Sequence, residues 1–223
     1  MMQWMVRRLA TISRVSASLV LLVFAAGCAP VQSTPVHPAT VGSLVPSVKG
    51  RDAGRVAAAY GFDVTRYQTI AIGNISVDMP ASWGEEDRRI ASSVVAHLRS
   101  DLAQELRTAG RFERVAGDAS TLDAPANTLR LDVRITALEL DQLAPTALWQ
   151  WLGPGSIQME TRFVDAASGR VVLATADRRT ARTVMTETRD ISGTTARLDE
   201  AANYLVMDLV NFLGRLEKTA AHT

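Results

Sequence analysis

The spacing of hydrophobic and polar positions changes several times between residues 67 and 216, and each change marks an element. In "YQTIAIGNISV", at 67–77, Ile70, Ile72, Ile75 and Val77 predict a strand, which Pro80 and Gly84 of "DMPASWG" end. Ser82 stands three residues before Glu85 in a capping-box spacing, and Glu85, Glu86 and Asp87 suit the positive end of a helix dipole. The helix that follows repeats Ile90, Val94, Leu98, Leu102 and Leu106 at every fourth position, with Val95 beside them, and Gly110 stops it. "RFERVA" is short enough for a return strand. In "TLRLDVRITALELD", Leu129, Leu131, Val133 and Ile135 alternate with Arg130, Asp132, Arg134 and Thr136, so one face is buried and the other wet. The phase slips around Ala137, since Leu138 and Leu140 continue on the other parity, as a bulge or bend makes it.

"SIQMETRFVD", "AASG" and "RVVLATADRR" read as a hairpin turning at Gly169. Leu198, Ala202, Leu205, Leu209, Phe212 or Leu213, and Leu216 make the stripe of a closing helix. The order is β-α-β-β-β-β-α. Two helices with one apolar stripe each need a sheet face to cover. The expected fold is therefore α+β: a two-layer α/β sandwich, a mainly antiparallel sheet of about five strands with both helices on one face. The other face would carry Arg130, Asp132 and Arg134.

Upstream the pattern is of a different kind. Arg7, Arg8 and Arg14 precede an apolar zone over 15–24, and Ala25, Ala26 and Gly27 lead to Cys28, the only cysteine. Basic, apolar and small-residue zones in that order describe a secretory signal over 1–27. The apolar zone falls well short of the roughly 20 residues that span a bilayer. From 28 to 50 the chain carries Pro30, Pro35, Pro38 and Pro46 with little charge and no periodicity, as in an extended tether. Fully stretched, at about 3.1 Å per residue, it would hold a domain up to roughly 60 Å from a bilayer. Residues 51–66 are ambiguous, and "RVAAAYGF" would suit a short docking helix; the domain then covers 67–218, with a disordered tail at 219–223.

The formal charge of +1 belongs to the unprocessed chain; without residues 1–27 there are 21 Lys and Arg against 23 Asp and Glu, a net of −2. Such a chain has no electrostatic footprint for nucleic acid. One cysteine allows no internal disulfide. The histidines are His37, His97 and His222, and His97, on the flank of the first helix's stripe, reads as a boundary residue. With no second His or Cys beside it a zinc site lacks ligands, and no nucleophile elbow, phosphate loop or dinucleotide fingerprint is present. Glu160, Asp165 and Asp177 fall where solvated side chains are expected. No catalytic residue, metal or cofactor is expected. Trp149 and Trp151 in "APTALWQWLGPG" anchor on the domain's own core or offer a contact to a partner or to lipid headgroups. The Arg- and Thr-rich stretch 177–197 reads as an edge strand entering a loop, or as a surface for anionic envelope polymer.

Ala25-Ala26-Gly27-Cys28 resembles the lipobox of bacterial lipoproteins, with Ala25 where Leu is usual. The resemblance implies a diacylglyceryl group on Cys28, cleavage between Gly27 and Cys28, and, from Ala29, retention at the outer membrane facing the periplasm. "LRLDVRITALELD" and "METRFVDAASGRVVLATADRR", with Asp165 and Gly169 at the turn, resemble a group of envelope lipoproteins whose domain has no known function. The architecture is similar to the N-terminal domain of TolB and to periplasmic domains of the curli-secretion lipoprotein and penicillin-binding-protein activators, which act by contact. That likeness implies a non-enzymatic, membrane-anchored protein-interaction domain whose partner is another envelope protein. Two other readings stand: an auxiliary subunit of a lipid or efflux transporter, and a hydrolase of cell-wall or lipid material.

Overall fold

The computed structural model describes residues 31–35, 38, 44–121, 126–139, 156–180 and 191–220. The strands are β1 (Val31–Ser33), β2 (Val48–Lys49), β3 (Arg55–Ala58), β4 (Thr69–Val77), β5 (Arg114–Ala116), β6 (Thr128–Glu139), β7 (Ser156–Asp165) and β8 (Val171–Thr180). The helices are α1 (Glu85–Thr108) and α2 (Ile191–Ala220). From β4 onward the element order is the expected one, and the hydrophobic stripes of both helices meet one face of the sheet in a single core.

The sheet has eight strands, not five, in the order β2-β3-β8-β7-β6-β4-β5, with β1 also paired to β8. It is mixed: β4 runs parallel to β5 and β6, because the crossover through α1 returns the chain in the same direction, and the other pairs are antiparallel. The three additional strands come from the stretches read as tether and lead-in, so "RVAAAYGF" contributes strand β3, not a docking helix. Their sequences give little signal because β1 and β2 are too short to show a period. β8, expected at an edge, lies inside the sheet, with β7 on one side and β3 and β1 in succession on the other.

The helix α1 is capped two residues later than expected. Gly84, not Ser82, is the N-cap, and its N–H donates to Asp87 Oδ2 at 3.0 Å. Gly110, at φ +63°, ends the helix as read from the sequence, and the register of β6 and β7 shifts between Ile135 and Ala137 where the phase slip falls. The β7–β8 turn closes on Gly169 at φ +68°, and the α2 stripe buries Leu198, Ala202, Leu205, Leu209, Phe212 and Leu213.

Candidate functional site

Three clusters of polar side chains are built on this frame. The first lies at the hairpin end of the sheet. Asp165 closes the β7–β8 turn: its Oδ1 accepts from Ser168 N–H at 2.7 Å and Ser168 Oγ at 2.8 Å, and its Oδ2 accepts from the Tyr67 hydroxyl at 3.0 Å. The Ser168 backbone donor holds the Asp165 carboxyl below its ordinary range. Burial, then the Asp165 bond, pushes the Tyr67 phenol up to about 12, so it stays a donor. Asp63, which accepts from Thr65 Oγ1 at 2.7 Å and Thr65 N–H at 2.9 Å, is likewise held down by those bonds. Between these turns opens a cleft of about 160 Å³ whose lining includes Tyr60, Phe62, Arg66, Tyr67 and Arg170. Phe62 and Tyr67 pack with ring centroids 6.2 Å apart, while Tyr60 is fully exposed. Both carboxylates are occupied by turn donors, which leaves aromatic faces and guanidinium groups as the open surface of the cleft.

The second cluster is on the face opposite the helices. The alternation of β6 places Asp132 there as expected, yet it is 5% exposed and not wet. Its Oδ2 accepts from Arg162 Nε at 3.0 Å and an Arg130 guanidinium nitrogen at 3.2 Å, and its Oδ1 from Asn74 N–H at 3.1 Å. A Cβ on Gly73 would come within 2.0 Å of that Oδ1, so only glycine lets the carboxylate reach the irregular step between Ile72 and Ile75. From the helix side Arg99 bonds Gly73 O and Gly117 O, both at 2.9 Å, so the step is pinned from both faces. Glu160, also buried, accepts from Gln158 Nε2 at 3.4 Å, and Gln158 donates to Thr136 Oγ1 at 3.0 Å.

The third cluster lies between β8 and α2. Asp177, expected to be solvated, is 3% exposed. It accepts from Gln32 Nε2 of β1 at 3.0 Å and from Arg178 N–H at 2.9 Å, and it lies 3.6 Å from Arg179 Nε. Arg179 in turn pairs with Asp208 of α2, and Arg215 of α2 pairs with Asp52. Burial pushes Asp177 up to about 6 despite Arg179, and it pushes Asp208 upward as well.

Gly27 and Cys28, and Trp149 and Trp151, lie outside the described residues. The strand ends that flank the tryptophans, Glu139 and Ser156, pair with each other. His97 sits at the boundary read from the sequence, half-exposed, with Nδ1 2.9 Å from Asp199 Oδ2. Among the described residues, no group of three His, Cys, Asp or Glu could hold a metal ion, and no helix is long and apolar enough to cross a membrane. The burial of Asp177 had a signal: it shares parity with Leu173 and Thr175, the inward positions of β8. The burial of Asp132 had none, because its parity points away from the helices.

Fold and clusters together define an α+β domain, a two-layer sandwich with one polar cluster at its hairpin end, one on the sheet face opposite the helices and one between β8 and α2. No family model and no curated protein matches the chain. Among solved structures, the chain is similar to the PelC dodecamer from Paraburkholderia phytofirmans, at 16% identity over 70% of this chain and 98% of that one, with a TM-score of 0.41. It is also similar to protein XCC0632 from Xanthomonas campestris, of family DUF330, at 11% identity over 70% and 90% of the two chains, with a TM-score of 0.45. Likeness at this level carries no residue role across.

Proposed function

We propose that the chain is a bacterial envelope lipoprotein that works by contact and not by catalysis. Its signal directs export, Cys28 carries the acyl chains, and Ala29 after it favours the outer membrane, leaving the α/β domain in the periplasm. The observation that carries this reading is the run from the basic residues through the apolar zone to Ala25-Ala26-Gly27-Cys28, with β1 entering the sheet three residues after the cysteine. Two or more acyl chains give a stable anchor where one gives marginal binding. The finer resemblance, to the TolB N-terminal and curli-secretion domains, belongs to the same reading: those domains act by touching other envelope proteins. The exposed Tyr60 with Phe62, Arg66 and Arg170 supplies the kind of aromatic and guanidinium surface that protein contacts favour.

Metabolic labelling with a palmitate analogue tests the anchor. The wild type takes up label and fractionates with membranes, and Cys28→Ala loses both; equal labelling of the two would overturn the proposal. The pair Trp149 and Trp151 supports a second reading, an auxiliary subunit of a lipid or efflux transporter. Photocrosslinking from positions 149 and 151 decides it: capture of a transporter component supports it, and unchanged co-purification after replacing both tryptophans removes it.

A further inference from the structure

β1, β8, β7 and β6 end together. Val31 is paired with Thr180, Thr180 with Ser156, and Ser156 with Glu139, so the four residues form one row across the sheet. Only Ala29 and Pro30 separate Val31 from Cys28 in the sequence, and three residues reach at most about 11 Å. β1 is not loosely attached. Gln32 Nε2 bonds Asp52 O at 2.9 Å and Asp177 Oδ1 at 3.0 Å, and Ser33 Oγ reaches Arg178 O at 3.4 Å. The Pro-rich residues that could have formed a stalk therefore lie beyond β1, on the far side of the attachment point, and cannot lengthen the link to Cys28.

From this we infer that the row Val31, Thr180, Ser156 and Glu139 is the membrane-facing end of the domain, with Val31 held within about 11 Å of the acylated Cys28 at a phospholipid surface. The inference rests on the proposed acylation of Cys28. The opposite end, with the Gly169 turn and Tyr60, then projects roughly 30 Å further out, the length of a ten-residue strand. The aromatic and cationic cleft is presented away from the lipid, where a partner can reach it.

The test uses the full acylated chain in vesicles of phosphatidylethanolamine and phosphatidylglycerol that carry a nitroxide on a fraction of the headgroups. Cys28 is consumed by its thioether, so one added cysteine takes a fluorophore. Thr180→Cys marks the row and Ala167→Cys, in the exposed β7–β8 turn, marks the other end. Quenching at 180 is expected to exceed that at 167 about threefold, given the roughly 30 Å between them. Should Thr180→Cys not fold, Thr34→Cys, exposed just past β1, replaces it. Inserting about ten Gly and Ser residues between Pro30 and Val31 adds up to roughly 30 Å of reach and should remove most of the quenching at 180. Equal quenching at both ends, or quenching at 180 that survives the insertion, overturns the orientation while the acyl label is retained. A chain that takes up no acyl label overturns the anchor and the orientation together.

Discussion

Asp132 and Asp177 are two buried carboxylates on opposite faces of the same sheet, and they are held in different ways. Asp132 lies among paired strands, beside the step in β4 between Ile72 and Ile75. Donors from β4, β6 and β7 arrive at both of its oxygens at hydrogen-bonding distance, and two of its partners, Arg130 and Arg162, keep about half of their side chains in water. Asp177 lies where β8 meets segments from far along the chain, Gln32 in β1 and Asp208 in α2. Among the described residues, its Oδ2 and Arg179 Nε find no hydrogen bond, although they are only 3.6 Å apart. A carboxylate set into a ladder receives donors whose positions the ladder dictates. One set between a sheet and a helix depends on side chains that must compromise with packing, and burial then outweighs pairing.

The sharpest way to break this comparison is pH. Asp177 is raised to about 6 in the folded protein from an ordinary value near 3.8, so folding favours its protonated form. Its stabilising contribution is complete below about pH 4 and is lost as pH rises through about 6; a shift of this size corresponds to about 3 kcal/mol between pH 4 and 7. Asp208, raised in the same direction, adds to the slope, while Asp63 and Asp165, held low, oppose it only on further acidification. Denaturant unfolding of the wild type across this range should therefore show a falling stability that Asp177→Asn flattens, since the amide cannot ionise and still accepts from Gln32. A slope unchanged by the substitution would mean that Asp177 is paired as well as Asp132 is.

Asp132→Ala is the next largest effect and acts on the other half of the comparison. It removes three donor contacts and the group that fills the notch over Gly73. Arg130 and Arg162 can turn to water, so the loss is expected at about 2 kcal/mol, below that of stranding a fully buried charge. It should appear as a lowered denaturation midpoint with an unchanged slope against denaturant.

The parts of this molecule legible in its sequence are those governed by period. The stripe from Ile90 to Leu106, the alternation from Leu129 to Ile135 and its slip at Ala137, and the Gly169 turn each repeat a geometric unit often enough to be read. What was not legible depends on meetings between distant segments. Val31–Ser33 has no period of its own and becomes a strand because the exposed side of β8 offers it a ladder. Asp132 and Glu160 stand at positions whose polarity and parity suggest water, and their burial follows from neighbours that only the fold assembles; Asp177 differs in sharing the inward parity of Leu173 and Thr175. The cleft at the hairpin end likewise joins residues about 60–67 to 165–172, and no short motif announces it.

The smallest effect concerns the third carboxylate, Asp165, which combines features of the other two. Like Asp132 it is held by donors whose positions the local backbone dictates, here the Ser168 turn, and like Asp177 it takes one bond from a distant residue, Tyr67. If turn geometry does most of the holding, removing the distant donor should matter little. Tyr67→Phe keeps the ring against Phe62 and leaves both Ser168 bonds in place, so the loss should be that of one hydrogen bond, about 1 kcal/mol. Ultraviolet titration supplies an independent readout, because the phenol ionising at about 12 should vanish from the variant. A loss well above that of one bond would show that Tyr67, not the turn, holds Asp165 in place, and would set Asp165 beside Asp177 as a carboxylate governed by distant partners.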